Sequence, residues 1–334
     1  MKEITGIPNI GKEGIGMRKR KYFSSSSKRD QRDMIVEAIK EKEEEKRVIS
    51  MTGFSSQGSH LKWEVPQRRL KHHQIINTPE SQLSFLIKSV YDLLPTPANK
   101  NKWYSKEEKC TLCGEEATLN HILSCCRIAL AQGRYTWRHN KVLSEVANSL
   151  HVRLVENCSS TEEIRQTSFV KEGEKPRKKI ERGNICYLSS AKDWTMRVDL
   201  ESRLKIPEEI VVTSLRPDVI VISKTTKQLG IIELTVPTEE RIEISGELKR
   251  LKYEEIAQEA KKNGWRVKIW AIEVGCRGFP AISLSTFLKD MGYQGGKRKK
   301  IVDRIGKTAE QASQTLWKCS FHKNWGNKGF GNVK

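Results

Sequence analysis

No stretch of this sequence stays apolar for the ~18–20 residues that a membrane helix needs, which excludes a helical span. The first residues, MKEITGIPNI, lack a basic segment followed by an apolar one, so no secretory signal is expected. Apolar residues are sparse, 37% of 334, so part of the chain is expected to be solvated rather than to build a core. Acidic residues are in deficit: 41 Asp and Glu face 61 Lys and Arg, a net charge of +20. That excess points to a polyanionic partner, most simply nucleic acid. The length still allows a sizeable core and one to three domains.

Cysteines are present, at 110, 113, 125, 126, 158, 186, 276 and 319. The first four fall within seventeen residues and the others are scattered. Without a secretory signal, this pattern reads as a metal site rather than a disulfide framework. A reducing compartment is expected, and with the basic charge a nuclear location.

Residues 1–58 contain MRKRKYFSSSSKRDQRD, IVEAIKEKEEEKR and GFSSQGSH. They read as a basic flexible tail with at most a short solvated helix, or alternatively as a nuclear-targeting or DNA-contacting arm. Leu83, Leu86, Ile87, Val90 and Leu94 recur at helical spacing between Thr78-Pro79 and Pro95. A second helical pattern runs through Ile128, Tyr135, Val142, Val146 and Leu150. Residues 157–189 are polar and read as a linker between a helical region (59–156) and an α/β domain (190–294). The latter has strands at VIVIS (219–223), LGIIELTV (229–236) and WRVKIWAIEV (265–274). Between the last two lies a helix from Glu239 to Lys262, with Ile242, Leu248, Leu251 and Ile256 among its apolar positions. Residues 295–334 read as a basic helical tail. If the linker isolates the two regions, metal removal unfolds the first and spares the second.

Cys110, Cys113, His121 and Cys126 have zinc-ligand spacing. Two thiolates two residues apart fit one tight turn, and Gly114 lets the backbone fold back. Four ligands leave no open position, so the site is structural. Cys125 in place of Cys126 is the alternative on spacing. Downstream, Arg134, Tyr135, Trp137, Arg138 and Lys141 mix cations with aromatic rings on one expected helix. They read either as a nucleic-acid-binding face or as aromatic plugs against the zinc loop with solvated charges.

Arg216-Pro217-Asp218 is followed by fourteen residues and Glu233-Leu234-Thr235. Asp218 opens one expected strand and Glu233 lies in the next, so strand pairing sets the carboxylates side by side at one sheet end. Two carboxylates with water suit Mg2+, and such a site polarises a scissile phosphate for in-line attack. An ion pair to Arg216 or Lys252 is the alternative, because an ionised carboxylate in an apolar strand needs a partner. Thr235 stands where PD-(D/E)-x-K nuclease cores carry a lysine. Lys249 or Lys252 on the following helix can supply that ammonium. Asp199, read within a helical segment WTMRVDLESRL, is either a further Mg2+ ligand or an exposed helix acid.

The run CTLCGEEATLNHILSCCRIALAQGRYTWRHN, followed by LRPDVIV, IIELTVPTEE, LKRLKYEEI and EVGCRGF, resembles the C-terminal part of LINE-like, site-specific non-LTR retrotransposon polyproteins. The resemblance covers roughly residues 80–320. It implies a CCHC zinc knuckle followed by a PD-(D/E)-x-K restriction-endonuclease-like α/β domain, and it favours Cys126 over Cys125. It further implies that Asp218 and Glu233 are metal-binding catalytic acids, with Lys249 or Lys252 as the displaced lysine. The implied reaction is Mg2+-dependent nicking of DNA to expose a 3′-hydroxyl for target-primed reverse transcription. The implied partners are DNA and element RNA. The sequence has no Asp-Asp pair, hence no Y/F-x-D-D polymerase signature, so a reverse transcriptase would come from another chain. The contrasting reading is a zinc-stabilised nucleic-acid-binding fragment without catalysis.

Overall fold

A computed structural model describes residues 25–325 apart from 55, 56, 67, 69, 71, 107, 160–185, 201 and 202. The first 24 residues of the expected tail, the middle of the expected linker and residues 326–334 lie outside the described residues. The chain divides into two compact units, Met1–Lys62 and Trp63–Lys334.

In the first unit a 25-residue helix, α1 (Lys28–Thr52), replaces the short helix expected in a flexible tail. Ser27 caps it by accepting the Asp30 amide at 3.2 Å. Ion pairs one turn apart, Glu43–Lys46 and Glu44–Arg47, support its solvated face. Its apolar contact is small: buried Ala38 with Met34 and Ile35 beside it.

The second unit begins with short helices α2 (His72–Asn77), α3 (Glu80–Val90) and α4 (Pro97–Tyr104). After the cysteine loop come α5 (Arg127–Ala131) and α6 (Arg134–Ser159), separated by Gly133 at φ +71°. Strand β1 (Thr195–Val198) follows residue 186, then β2 (Val219–Ser223) and β3 (Gln228–Thr235). Helix α7 (Ile242–Lys262), strand β4 (Arg266–Glu273) and helices α8 (Ile282–Asp290) and α9 (Gly295–Lys318) complete it.

The four strands form one mixed sheet in the order β1-β2-β3-β4. The first three pair antiparallel, while β4 runs parallel to β3 after the α7 crossover. The fold is therefore mixed α/β. Strand β2 is buried at every residue and β3 at all but its last, which explains their near-continuous apolar sequences.

Alternation along the strands feeds two cores. On one face Val219, Val221, Ile232, Leu234 and Ile272 meet Val142, Val146 and Leu150 of α6, Phe287 of α8 and Ile305 of α9. On the other, Ile220, Ile222, Leu229 and Ile231 meet Tyr253, Ile256 and Ala260 of α7.

Three expectations change here. TMRV is a strand, not part of a helix; its Met196 and Val198 turn to the α6 side, the two-residue period of a sheet. Residues 59–156 and 190–294 do not form separate cores, because α6 carries its apolar stripe into the sheet. Residues 295–318 are no tail: Ile301, Ile305, Ala309 and Leu316 of α9 are buried.

Candidate functional site

The cysteine loop is held by its own backbone. Cys110 donates its amide to Glu115 O at 2.8 Å, and Gly114, at φ +78°, donates to Cys110 O at 2.9 Å. The positive φ is why glycine suits that turn. One turn of π-helix, His121–Cys125, then brings His121 and Cys126 opposite the first two thiols. The ligand atoms of Cys110, Cys113, His121 and Cys126 all lie within 4.8 Å of one another. The Cys110–Cys126 sulfurs are 4.0 Å apart, and Cys113 Sγ is 3.3 Å from His121 Nε2. Three thiols and an imidazole at these separations form a cluster able to bind a metal such as zinc. Cys125 is exposed and points its sulfur at Asn120 Oδ1, which settles the choice in favour of Cys126. Burial pushes the Cys113 thiol up to about 11. Cys110, despite burial, is lowered by the amides of Cys113 and Leu112. Metal binding at this cluster therefore releases protons.

Helix α6 starts beside this loop, and its first two turns are mostly committed inward. Tyr135 Oη accepts the Cys126 amide at 3.0 Å and faces the carbonyls of His121 and Ile122 at 3.2 and 3.1 Å. Arg138 is buried and donates to Leu123 O and Val236 O, each at 2.9 Å. Arg134 is also buried, donating to Cys319 O at 2.7 Å and His322 O at 2.6 Å. These three residues tie the cysteine loop to the segments just after β3 and α9, and the two guanidinium groups are buried rather than offered as a nucleic-acid face. Trp137 packs edge-on against Trp325 at 5.6 Å, leaving Lys141 as the exposed member of the expected set.

The acids assemble on the sheet. Val198 pairs with Val219, and Val219 with Ile232. Extending both registers by one residue places Asp199, Asp218 and Glu233 on a single rung across β1, β2 and β3. The Asp218 amide donates to Glu233 Oε2 at 3.2 Å, and the Leu234 amide donates to Asp218 Oδ2 at 2.7 Å. Glu233 is only 2% exposed. Its Oε1 meets Lys249 Nζ at hydrogen-bond distance and Lys252 Nζ at 3.5 Å, both from α7. Tyr253, next on that helix, donates its hydroxyl to Arg216 O at 2.8 Å. Burial, then Glu233, Asp218 and Asp199, push the Tyr253 phenol far above its ordinary value.

α7 lies close to the sheet here: a Cβ at Gly246 would stand 2.3 Å from Glu273 Oε1. Leu248 and Leu251, named above among its apolar positions, are 61% and 57% exposed, because the helix presents Lys249, Lys252, Tyr253 and Ile256 to the sheet.

Asp199 shares the rung but points partly elsewhere. Its Oδ1 accepts the amides of Arg203 and Leu204 at 2.8 and 3.2 Å. Among the described residues the Cys/His group alone brings three or more ligand atoms within 4.8 Å of one another. The three carboxylates therefore do not close into a comparable cluster. Of the three, Asp199 alone lines a cleft of about 560 Å³, together with Arg197, Arg203 and Lys205, among others.

Sequence reasoning passed over His139. Its Nε2 lies 3.3 Å from Asp218 Oδ2 and 3.2 Å from Leu234 O, and its Nδ1 lies 3.2 Å from Asn140 Oδ1. Burial disfavours a charged imidazole, but the Asp218 carboxylate prevails and holds the His139 pKa above its ordinary value. The available signal was its place four residues after Tyr135, on the same side of the helix. Also passed over was the pair Glu239–Arg277, buried and 2.6 Å apart, which ties the start of α7 to the loop after β4.

Set against known proteins, the chain matches no protein-family model and no curated protein.

Proposed function

We propose that this chain is a metal-dependent DNA endonuclease of the retrotransposon type, built on a PD-(D/E)-x-K restriction-endonuclease-like core. The observation that carries this reading is the rung of Asp218 and Glu233 with two lysines converging on Glu233. A buried carboxylate with both lysines on one oxygen can be a purely structural ion pair. Asp218, however, lies beside it with a second carboxylate, and Asp218 Oδ1 accepts no hydrogen bond among the described residues. That donor set is all oxygen, which suits a hard cation such as Mg2+.

Asp218 and Glu233 would hold the ion, with Asp199, on the same rung, as a further candidate ligand. When bound, Mg2+ polarises the phosphoryl group and lowers the pKa of water. Lys249 and Lys252 set ammonium charge where negative charge develops on the phosphate, the role that Thr235 cannot fill. Arg197, Arg203 and Lys205 line the neighbouring cleft and suit the backbone of a DNA strand. Attack of water on phosphorus with loss of the 3′-oxygen leaves a 3′-hydroxyl and a 5′-phosphate. That hydroxyl would prime a reverse transcriptase supplied by another chain, with element RNA as template.

A second reading, a zinc-stabilised nucleic-acid-binding fragment without catalysis, draws on the two lysines already compensating Glu233. Supercoiled plasmid separates the two. Under the endonuclease reading wild type converts it to open circle in Mg2+ or Mn2+, and Asp218→Asn and Glu233→Gln do not. DNA binding by all three proteins with no nicking by any supports the second reading instead.

A further inference from the structure

We infer that His139 is a positioning residue of the acidic site, fixing the orientation of Asp218 from the zinc-anchored helix. This rests on the reading of Asp218 and Glu233 as a hard-cation site.

Tyr135, Arg138 and His139 stand at i, i+3 and i+4, so they share one side of α6. Tyr135 is locked to the zinc loop through the Cys126 amide, and Arg138 spans Leu123 O and Val236 O. His139 continues that strut to the sheet. Its Nε2 is surrounded by acceptors, Asp218 Oδ2 at 3.3 Å and Leu234 O at 3.2 Å, so that nitrogen carries the proton and is shared between them.

The Leu234 amide reaches the same Oδ2 at 2.7 Å. Two protein donors therefore converge on one oxygen of Asp218 and leave Oδ1 for a ligand. Without the imidazole, the carboxylate keeps one anchor and can rotate about its side chain, while Leu234 O loses its side-chain donor. Hydrogen-bond partners behind a ligating group typically contribute about 10–100-fold to metal affinity.

The test is Mn2+ binding by the zinc-loaded full chain at constant pH, read from the loss of the free-ion electron paramagnetic resonance signal. Zinc content and thermal melting are recorded for every variant. Wild type is expected to bind Mn2+ and Asp218→Asn to lose it. His139→Leu, which removes the donor, is expected to weaken binding roughly tenfold or more. His139→Gln carries an amide N–H to the place of Nε2 and is expected to restore most of the affinity. If His139→Leu fails to fold, His139→Asn takes its place, being polar but too short to reach both acceptors. Its affinity is expected to fall as well.

Wild-type affinity in the Leu or Asn variant, with zinc retained, overturns the role of His139 and leaves the cation site standing. Equal Mn2+ binding by wild type and Asp218→Asn, or none by wild type, overturns the cation site and this inference together.

Discussion

Glu233 is the residue on which the account turns, since a carboxylate only 2% exposed needs compensation at all times. Lys249 supplies most of it and is itself 31% exposed, with Lys252 at 3.5 Å as the second cation. Lys249→Met is expected to cut nicking roughly a hundredfold, the scale of losing one charge-stabilising donor. Breaking a buried pair costs about 3–5 kcal/mol. With Lys252 remaining and Lys249 partly solvated, about 1–2 kcal/mol is expected from urea unfolding. Lys252→Met is expected to do less to stability, because it removes the more distant ion. A second carboxylate sets a pH limit. Asp193 accepts the hydroxyl of Ser223 at 2.6 Å and the amide and hydroxyl of Thr225 at 2.9 and 2.8 Å, which lower its pKa to about 2. A depressed carboxylate stabilises the fold above its unfolded pKa, and that contribution is lost as pH falls through the folded value. The stability gap between wild type and Asp193→Asn, read from urea midpoints, is therefore expected to be constant above about pH 5 and to close toward pH 2.

Among the elements, the cysteine loop gives the sharpest discrimination. Cys126 faces Cys110 at 4.0 Å while Cys125 is exposed, so Cys126→Ser is expected to lose bound zinc and Cys125→Ser to keep it, measured as metal per chain. Much of this level was legible beforehand. β2, β3 and β4 announce themselves as β-branched apolar runs with polar turns, and the ligand spacing around the loop needs no tertiary information. β1 was not legible, because four residues with exposed Thr195 and Arg197 carry too short a period to outweigh the helix formers around them. Asp199 was consequently put on a helix, although the rung with Asp218 is a matter of strand register. Leu248 and Leu251 look like core positions by spacing alone. In the folded sheet α7 instead buries Tyr253, Ile256 and Ala260, and the same face carries Lys249 and Lys252 to Glu233. The aromatic and basic start of α6 left two readings open for a related reason: a sequence shows which residues can bind a strand of DNA, but not that Tyr135 packs on the cysteine loop or that Arg134 and Arg138 already donate to backbone carbonyls.

At the scale of the whole molecule, α6 joins what the polar stretch 157–189 suggested was separate. Its Val142, Val146 and Leu150 lie in the sheet core while its first turn holds the metal loop. Stripping zinc with a chelator is therefore expected to lower the melting temperature of the sheet as well as the loop, with tryptophan fluorescence and cobalt-substituted absorption changing in one transition. A sheet signal unmoved by chelation would restore the two-domain view. The charge of +20 adds a second whole-molecule expectation: DNA binding falls steeply with salt, by roughly a thousandfold between about 50 and 200 mM if about six phosphates are contacted. A shallow dependence would mean few backbone contacts. The central claim, however, is chemical: that Asp218 and Glu233 direct hydrolysis of a DNA phosphodiester to a 3′-hydroxyl and a 5′-phosphate. The most direct measurement is whether DNA ligase reseals nicks made in Mg2+. Ligase-sealable nicks from wild type and none from Asp218→Asn are expected. Nicks that resist sealing, or that Asp218→Asn makes equally well, would contradict the claim.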